Sequence, residues 1–227
     1  MISACIVGRD NDKYIRNCFE SVRDIVDEVV YLDTGSTDTT LAIAKEYADK
    51  TMAVAPSEYN WSLWRNTLIK EATQEWILSI DTDEVATDML RDNLRNYIKS
   101  LPDNIHGVRF KRADLVTDLE HFVSVPGEHC YMSHPWIYKK DGAKWVNKVH
   151  EIYTGAGDVK DWDIIGIVHY NMLLTDRLRR KSHPQYGDKE KYSDEFILKQ
   201  WKRKGLIKKL PPEVTWKEKV KYGTAFS

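Results

Sequence analysis

Apolar and polar residues follow two alternating patterns over the first hundred positions. Short apolar runs of strand length are separated by stretches in which apolar residues recur every three or four positions, as on one face of a helix. This order is typical of an α/β fold with a mostly parallel, doubly wound sheet. The predicted strands are residues 2–7, 29–32, 51–55 and 76–80, and the predicted helices are residues 12–26, 37–48, 62–72 and 86–100.

The pattern changes after Pro102. Strand-like runs are now separated by turns that contain Gly and Asp, which favours a mixed or antiparallel sheet against the edge of the parallel half. From Leu173 the pattern is mostly helical, and it becomes irregular around Pro211 and Pro212. The predicted elements are strands at residues 106–111, 129–139, 144–153 and 164–170 and helices at residues 175–181 and 189–204.

Acidic motifs follow two of the strands predicted in the first half. Residues 33–38, Asp-Thr-Gly-Ser-Thr-Asp, follow the second strand, and residues 81–84, Asp-Thr-Asp-Glu, follow the fourth. Ligands bind outside the carboxyl ends of strands in such sheets, so these acids are expected to share one crevice. Crowded carboxylates repel one another unless a cation lies between them, and oxygen ligands suit Mg²⁺ or Mn²⁺. The motifs therefore predict a divalent cation between these acids and a diphosphate.

The formal net charge of −1 conceals a charge asymmetry along the chain. Residues 170–227 contain 15 Lys and Arg against 7 Asp and Glu, whereas residues 1–169 contain 19 against 28. A basic segment of this kind can neutralise a diphosphate, contact an anionic membrane surface or bind nucleic acid, and a solvated helical surface is an equally good interpretation. Because the acidic body would repel a phosphate backbone, we expect no nucleic-acid partner.

Three features of the sequence bear on the cellular compartment. No run of about 18 apolar residues is present, so we expect no transmembrane helix. The chain enters its first predicted strand at Ile2, so we expect no secretory signal. Cys5, Cys18 and Cys130 lack the spacing of a metal site and are expected to be reduced, buried thiols. Together these features predict a cytoplasmic protein, and peripheral contact between the basic tail and a membrane is left open.

The acidic motifs belong to a longer series of short segments. Their order and spacing resemble family 2 glycosyltransferases of the GT-A fold, over roughly residues 1–170. Residues 148–151, Lys-Val-His-Glu, and residues 168–170, Val-His-Tyr, are similar to later motifs of a subgroup that includes lipopolysaccharide core glucosyltransferases and related bacterial and viral enzymes. The earlier segments are residues 6–11 (Ile-Val-Gly-Arg-Asp-Asn), 33–38, 64–66 (Trp-Arg-Asn) and 76–84 (Trp-Ile-Leu-Ser-Ile-Asp-Thr-Asp-Glu).

This resemblance implies a GT-A domain at residues 1–170, with a nucleotide-sugar half at 1–101 and an acceptor half at 102–170, followed by a basic helical C-terminal extension at 171–227. It also implies a metal-dependent, inverting transfer of a sugar from a nucleotide-sugar to a hydroxyl of a glycan or glycolipid acceptor. A UDP-sugar is the favoured donor, and Mn²⁺ or Mg²⁺ the expected cofactor. The alternatives are an inactive nucleotide- or glycan-binding module and a nucleotidyltransferase, although residues 8–11 are not the Gly-rich loop of the latter.

The resemblance assigns roles to three residues of the donor site. It implies that Asp83 binds the metal, that Asp81 contacts ribose or metal-bound water, and that Arg65 reaches the nucleotide. A guanidinium suits phosphate because it presents several donors in a fixed fork. An acidic turn that caps the next helix is the alternative for the two acids, and a surface salt bridge is the alternative for Arg65.

Two further residues end predicted strands and are candidates for contact with the nucleotide. Asp33 can accept hydrogen bonds from a nucleobase N–H or from ribose hydroxyls, and Arg9 can meet the base or the diphosphate. Many relatives have a second Asp where this chain has Thr34, which leaves the preference for uracil open. Ser36 and Thr37 are expected to cap the following helix.

The acceptor half supplies the remaining candidates. An inverting transfer needs a base that takes the proton of the attacking hydroxyl, and Glu151 is the candidate, with His150 as its substitute or orienting partner. By resemblance His169, at the end of the last predicted strand, completes the metal site, with a hydrogen-bonded structural histidine as the alternative. Glu84 has a weaker claim, as an acid that orients the site. Other acids that sequence cannot place are Asp114, Asp118, Glu128 and Asp161.

Overall fold

The computed structural model describes residues 1–55, 60–116, 118–123, 134–172, 199 and 201–216. Its helices are α1 (Ile15–Val22), α2 (Thr40–Tyr47), α3 (Trp61–Glu71) and α4 (Asp88–Lys99). Its strands are β1 (Ile2–Gly8), β2 (Glu28–Asp33), β3 (Lys50–Ala53), β4 (Trp76–Asp81), β5 (Glu84–Ala86), β6 (Ile105–Val116), β7 (His121–Val123), β8 (Ile137–Lys139), β9 (Trp145–Val146), β10 (Ile152–Tyr153), β11 (Asp158–Met172) and β12 (Ile207–Lys209).

The first half of the chain forms the parallel, doubly wound sheet that the sequence predicts. Strands β3, β2, β1 and β4 lie side by side in that order and all pair in parallel. Apolar residues of α1, α2 and α4 pack on one face of the sheet, and those of α3 pack on the other. Both faces are therefore covered, which is why the strands are almost continuously apolar.

The second half extends the same sheet with mixed pairing, also as predicted. Strand β8 lies between β4 and β6 and is antiparallel to both, and β6 also pairs in parallel with the long strand β11. The predicted strand at 144–153 is wrong, because β9 and β10 form a separate antiparallel pair there. Asn147 and His150, between these two strands, have positive φ angles of 72° and 54°, which a continuous strand does not allow.

Three predicted helices begin later in the structure, and the first of them, α1, begins at Ile15 rather than at residue 12. Ala86 is not helical but belongs to β5, which is antiparallel to β11, and α4 begins only after its N-cap Thr87, whose hydroxyl accepts from the Leu90 N–H. Helix α2 starts at Thr40 rather than at residue 37. Thr37 does not cap it, because its backbone N–H and its hydroxyl both donate to Asp10 Oδ1.

The described part of the C-terminal segment packs onto the body. The predicted helix at 175–181 and most of that at 189–204 lie outside the described residues. Residues 201–203 are helical, and β12, which the sequence pattern did not indicate, pairs with β7. Leu210, Val214 and Trp216 are buried. They pack against Tyr14, which immediately precedes α1, and against apolar residues of β5 and β11. None of the helices in the described ranges is long and apolar enough to cross a membrane.

Candidate functional site

The carboxyl ends of three neighbouring strands meet at one edge of the sheet. Gly8 of β1 is paired in register with Asp33 of β2, and Val7 with Asp81 of β4. Thr82 packs directly over Gly8, where an added Cβ would lie 2.3 Å from Thr82 Cγ2. Only glycine therefore fits at position 8 without a shift.

Asp33 lies at the end of β2, as predicted, and is almost fully buried. Its Oδ1 accepts hydrogen bonds from the backbone N–H groups of Gly35 (2.9 Å) and Ser36 (2.8 Å), and its Oδ2 accepts from the Tyr31 hydroxyl at 3.2 Å. Asp33 therefore shapes the turn that leaves β2, in which Gly35 has a φ of 99°. A contact between this carboxylate and a nucleobase stays a prediction.

Arg9 follows β1 at the same edge. Its side chain is about one third exposed, with Nε 3.7 Å from Asp10 Oδ2. Asp10 adopts a left-handed conformation, with φ of 49°. In this conformation its carboxylate accepts hydrogen bonds from the backbone N–H and the hydroxyl of Thr37. The turns after β1 and β2 are thus tied together through Asp10 and Thr37, and a contact between Arg9 and a nucleotide stays a prediction.

Arg65 on α3 joins two of the predicted site acids. Its Nη2 lies 3.3 Å from Asp81 Oδ1, its Nε lies 3.0 Å from Glu151 Oε1, and its Nη1 donates to Ser79 Oγ at 2.8 Å. The side chain is only 8% exposed, so these salt bridges are buried rather than at the surface, and contact of Arg65 with a nucleotide stays a prediction. We call Arg65, Asp81 and Glu151 the Arg65 cluster.

The charge of Arg65 is stabilised by its surroundings. Burial opposes the charge, but Asp81 and Glu151 outweigh this cost and raise the guanidinium pKa above its ordinary value. Trp61 and Trp145 lie at the sides of the guanidinium, with ring centroids 5.8 and 5.1 Å from its central carbon. Such an arginine stays cationic at any physiological pH and is held in a fixed orientation.

His169 contacts two other acids, Asp83 and Asp114. It lies within β11 rather than at a strand end, because β11 continues to Met172. In register, His169 is opposite Asp114 of β6 and Glu84 of β5. Its Nδ1 is 2.6 Å from Asp114 Oδ1, and its Nε2 is 3.3 Å from Asp83 Oδ2. Burial and Arg112 oppose the charged imidazole, but Asp83 and Asp114 outweigh them and raise the pKa of His169 to about 9.

Arg112 completes this second group, and Glu84 connects it to the first. Its Nη1 lies 3.0 Å from Glu84 Oε1 and its Nε 3.0 Å from Asp114 Oδ1. Glu84 is fully buried, and its Oε2 accepts the backbone N–H of Asp81 at 2.9 Å. Burial and Asp81 raise the pKa of Glu84 to about 7. We call Asp83, Glu84, Arg112, Asp114 and His169 the histidine cluster.

Sequence reasoning missed Arg112 and left Asp114 unplaced among several acids. It also passed over His134, whose ring makes edge contacts with Trp136 and Trp145. Burial, Arg65 and Arg112 lower the pKa of His134 to about 3, so this histidine is neutral. No spacing rule could have found these residues, because their partners come from strands that are distant in the sequence.

A divalent cation would find two suitable ligand atoms here. Within the described ranges, no set of three or more His, Cys, Asp or Glu side chains is arranged to hold a metal. Asp83 Oδ2 and His169 Nε2, 3.3 Å apart, would offer one oxygen and one nitrogen ligand once a cation displaces the Nε2 proton. Because Mg²⁺ is commonly bound through one or two carboxylates together with substrate phosphates, a site with few protein ligands fits a cation that arrives with a diphosphate.

Comparison with known proteins places the sequence in a family. The sequence profile described as Glycosyl transferase family 2 matches residues 3–161. An uncharacterised glycosyltransferase of Rickettsia felis is 34% identical over 95% of this chain and 76% of its own length. The lipopolysaccharide core biosynthesis glycosyltransferase LpsC of Rhizobium meliloti is 31% identical over 77% of this chain.

A solved structure has the same fold. The crystal structure of S. aureus TarS 1–349 in complex with UDP-GlcNAc matches 74% of this chain with a TM-score of 0.55, and at 15% identity this likeness is informative about the fold alone. The chain spans 65% of the length of LpsC and 57% of that TarS chain. Because the family profile covers well over half of the sequence, the chain belongs to glycosyl transferase family 2 and has its GT-A fold.

Proposed function

We propose that this chain is a metal-dependent, inverting glycosyltransferase that moves a sugar from a nucleotide-sugar to a hydroxyl of a glycan acceptor. The observation that carries the proposal is the Arg65 cluster, in which Arg65 joins Asp81, at the carboxyl end of β4, to Glu151, in the proposed acceptor half. A UDP-sugar is the favoured donor, and the TarS complex with UDP-GlcNAc supports this choice.

The donor would lie across the carboxyl ends of β1, β2 and β4. Asp33 and Arg9 would face the nucleoside, with Asp81 near the ribose and Arg65 near the diphosphate. Arg65 is suited to this role because it is buried, permanently charged and oriented by two tryptophans, so little conformational entropy is lost when it binds an anion.

Asp83 and His169 are the residues that would hold the cation. The donor set supports this assignment: Asp83 Oδ2 and His169 Nε2 face each other, while His169 Nδ1 is already engaged by Asp114. Carboxylate oxygen together with imidazole nitrogen suits Mn²⁺ better than Mg²⁺. When bound, the cation would neutralise the diphosphate leaving group.

Glu151 is the proposed base. The acceptor hydroxyl oxygen would attack the anomeric carbon while the bond from that carbon to the diphosphate oxygen breaks, and the hydroxyl proton would pass to Glu151. The Arg65 contact supports this role, because it holds the Glu151 carboxylate close to the proposed diphosphate position. His150, in the preceding position, is the substitute or orienting partner.

The metal assignment is tested with Asp83→Asn, which removes the charge and keeps the size of the side chain. UDP affinity is measured by calorimetry with Mn²⁺ and again with EDTA. We expect wild type to bind UDP more tightly with Mn²⁺ and the variant to bind equally under both conditions. Asp163→Asn, an exposed acid of β11, is the control and should behave like wild type. A variant that keeps the full Mn²⁺ effect would show that Asp83 is not a ligand.

A further inference from the structure

The histidine cluster contains more than the two proposed ligands. Asp114 and His169 are buried, lie opposite each other on β6 and β11, and make their contact at 2.6 Å between Oδ1 and Nδ1. Arg112, two residues before Asp114 on β6, contacts the same Asp114 carboxylate and also Glu84. The imidazole is therefore held in position through Nδ1, the ring nitrogen that faces away from Asp83.

We propose that Asp114 is a positioning residue that holds His169 with Nε2 directed at Asp83, and that Arg112 in turn holds Asp114. This inference rests on the proposed function, since it concerns the cation that Asp83 and His169 would bind. A histidine ligand commonly donates its second ring N–H to a carboxylate, which fixes the tautomer and the ring orientation and makes the free nitrogen a better ligand.

The geometry favours this role over simple core packing. A buried carboxylate is costly, and Asp114 has two partners, Arg112 and His169, that together compensate its charge. If the pair served packing alone, apolar side chains of similar size would serve equally well at these paired positions of β6 and β11. These positions are instead part of a series of polar contacts that runs from Arg112 through Asp114 and His169 to Asp83.

The test compares Asp114→Asn with wild type in the 227-residue chain. Mn²⁺ affinity in the presence of saturating UDP is measured by electron paramagnetic resonance of free Mn²⁺, and UDP affinity is measured separately in EDTA. We expect the variant to bind Mn²⁺ about 10- to 100-fold more weakly, as is typical when an outer partner of a metal ligand is lost. UDP affinity in EDTA should not change, whereas a purely structural role would lower both affinities.

Asp163→Asn is the matched control, because it also removes a β11 carboxylate that faces a cation of β6, in this case Lys111, at an exposed position. It should leave Mn²⁺ affinity unchanged. If Asp114→Asn does not fold, Arg112→Lys, which keeps the charge but not the forked contact, should weaken Mn²⁺ binding in the same direction. Unchanged Mn²⁺ affinity in the folded variant would overturn this inference but leave the proposed function standing. Absence of Mn²⁺ binding by wild type with UDP would overturn the proposed function as well.

Discussion

The Arg65 guanidinium holds the carboxylate that we propose as the general base. In Glu151→Gln the amide oxygen can still accept from Arg65 Nε, so donor binding should be unchanged, whereas proton abstraction is lost. We expect hydrolysis of UDP-GlcNAc, followed as UDP release, to fall by about 10²- to 10⁴-fold, the usual contribution of a positioned base. Glu46→Gln, at an exposed position on α2, is the control.

Two outcomes would contradict this assignment. Unchanged turnover in Glu151→Gln would move the base to another acid, and His150→Gln would then be examined as the substitute. Loss of UDP binding together with turnover would mean that Glu151 acts by holding Arg65 in place. If wild type binds UDP but releases none from UDP-GlcNAc, UDP-glucose or UDP-galactose, a binding module without turnover becomes the better interpretation.

At the scale of single residues, the sequence predicts which side chains gather at the site but not how they pair. Asp81 and Asp83 are separated by one residue, and the expectation is that both face one crevice. In the structure the two acids have different partners, Asp81 with Arg65 and Asp83 with His169. The strand ends at Asp81, and the direction of each later side chain depends on the turn into β5, which no spacing rule specifies.

At the scale of secondary structure, Asp27 joins two elements that are distant in sequence. Its carboxylate accepts the backbone N–H of Ile2 at the start of β1 (2.8 Å) and contacts Arg95 of α4 (3.1 Å). Burial opposes the charge, but Arg95 and the Ile2 N–H outweigh it and hold the pKa of Asp27 below its usual range.

This lowered pKa predicts how Asp27→Asn changes stability with pH. An acid whose pKa is lower in the folded state stabilises the fold above its unfolded pKa of about 3.9, and loses that contribution as the pH falls through the folded value. The variant should therefore be less stable than wild type by about 1 kcal/mol at pH 7, and the difference should shrink as the pH falls into the acid range. Urea unfolding across that range measures it, with Asp92→Asn, an exposed position on α4, as control. A difference that grows towards low pH would contradict the prediction.

The order of elements in the first half can be predicted from the sequence, because the apolar residues of each strand and helix there recur with a clear period. Strand β5 was not predicted, because three residues are too few to show a period and Glu84 looks like part of the acidic turn. The pairing of β6 with β11 was also beyond prediction, since it joins residues such as Asp114 and His169 that are 55 positions apart. The histidine cluster depends on that register, which explains why Arg112 was missed.

At the scale of the whole molecule, both halves and part of the C-terminal segment share one packed structure. Trp216 is buried, and its indole N–H donates to the Tyr170 hydroxyl at 2.8 Å. Tyr170 stacks on Tyr14, and its backbone N–H donates to the Asp83 carbonyl at 2.9 Å. The segment that contains Trp216 therefore supports the backbone on which the proposed metal ligands lie.

Trp216→Ala tests this support. Removing a buried tryptophan should lower the free energy of unfolding by about 3 to 5 kcal/mol. Trp216→Phe keeps most of the buried apolar area and loses one hydrogen bond, so it should cost only about 1 kcal/mol. Because Tyr170 and Asp83 are joined through the backbone, Mn²⁺ affinity with UDP should fall in the alanine variant even at temperatures where it stays folded. If stability fell but Mn²⁺ affinity did not, the segment would stabilise the fold without positioning the site. If neither changed, the contacts of Trp216 would contribute nothing to the folded state, contrary to the burial and hydrogen bond described above.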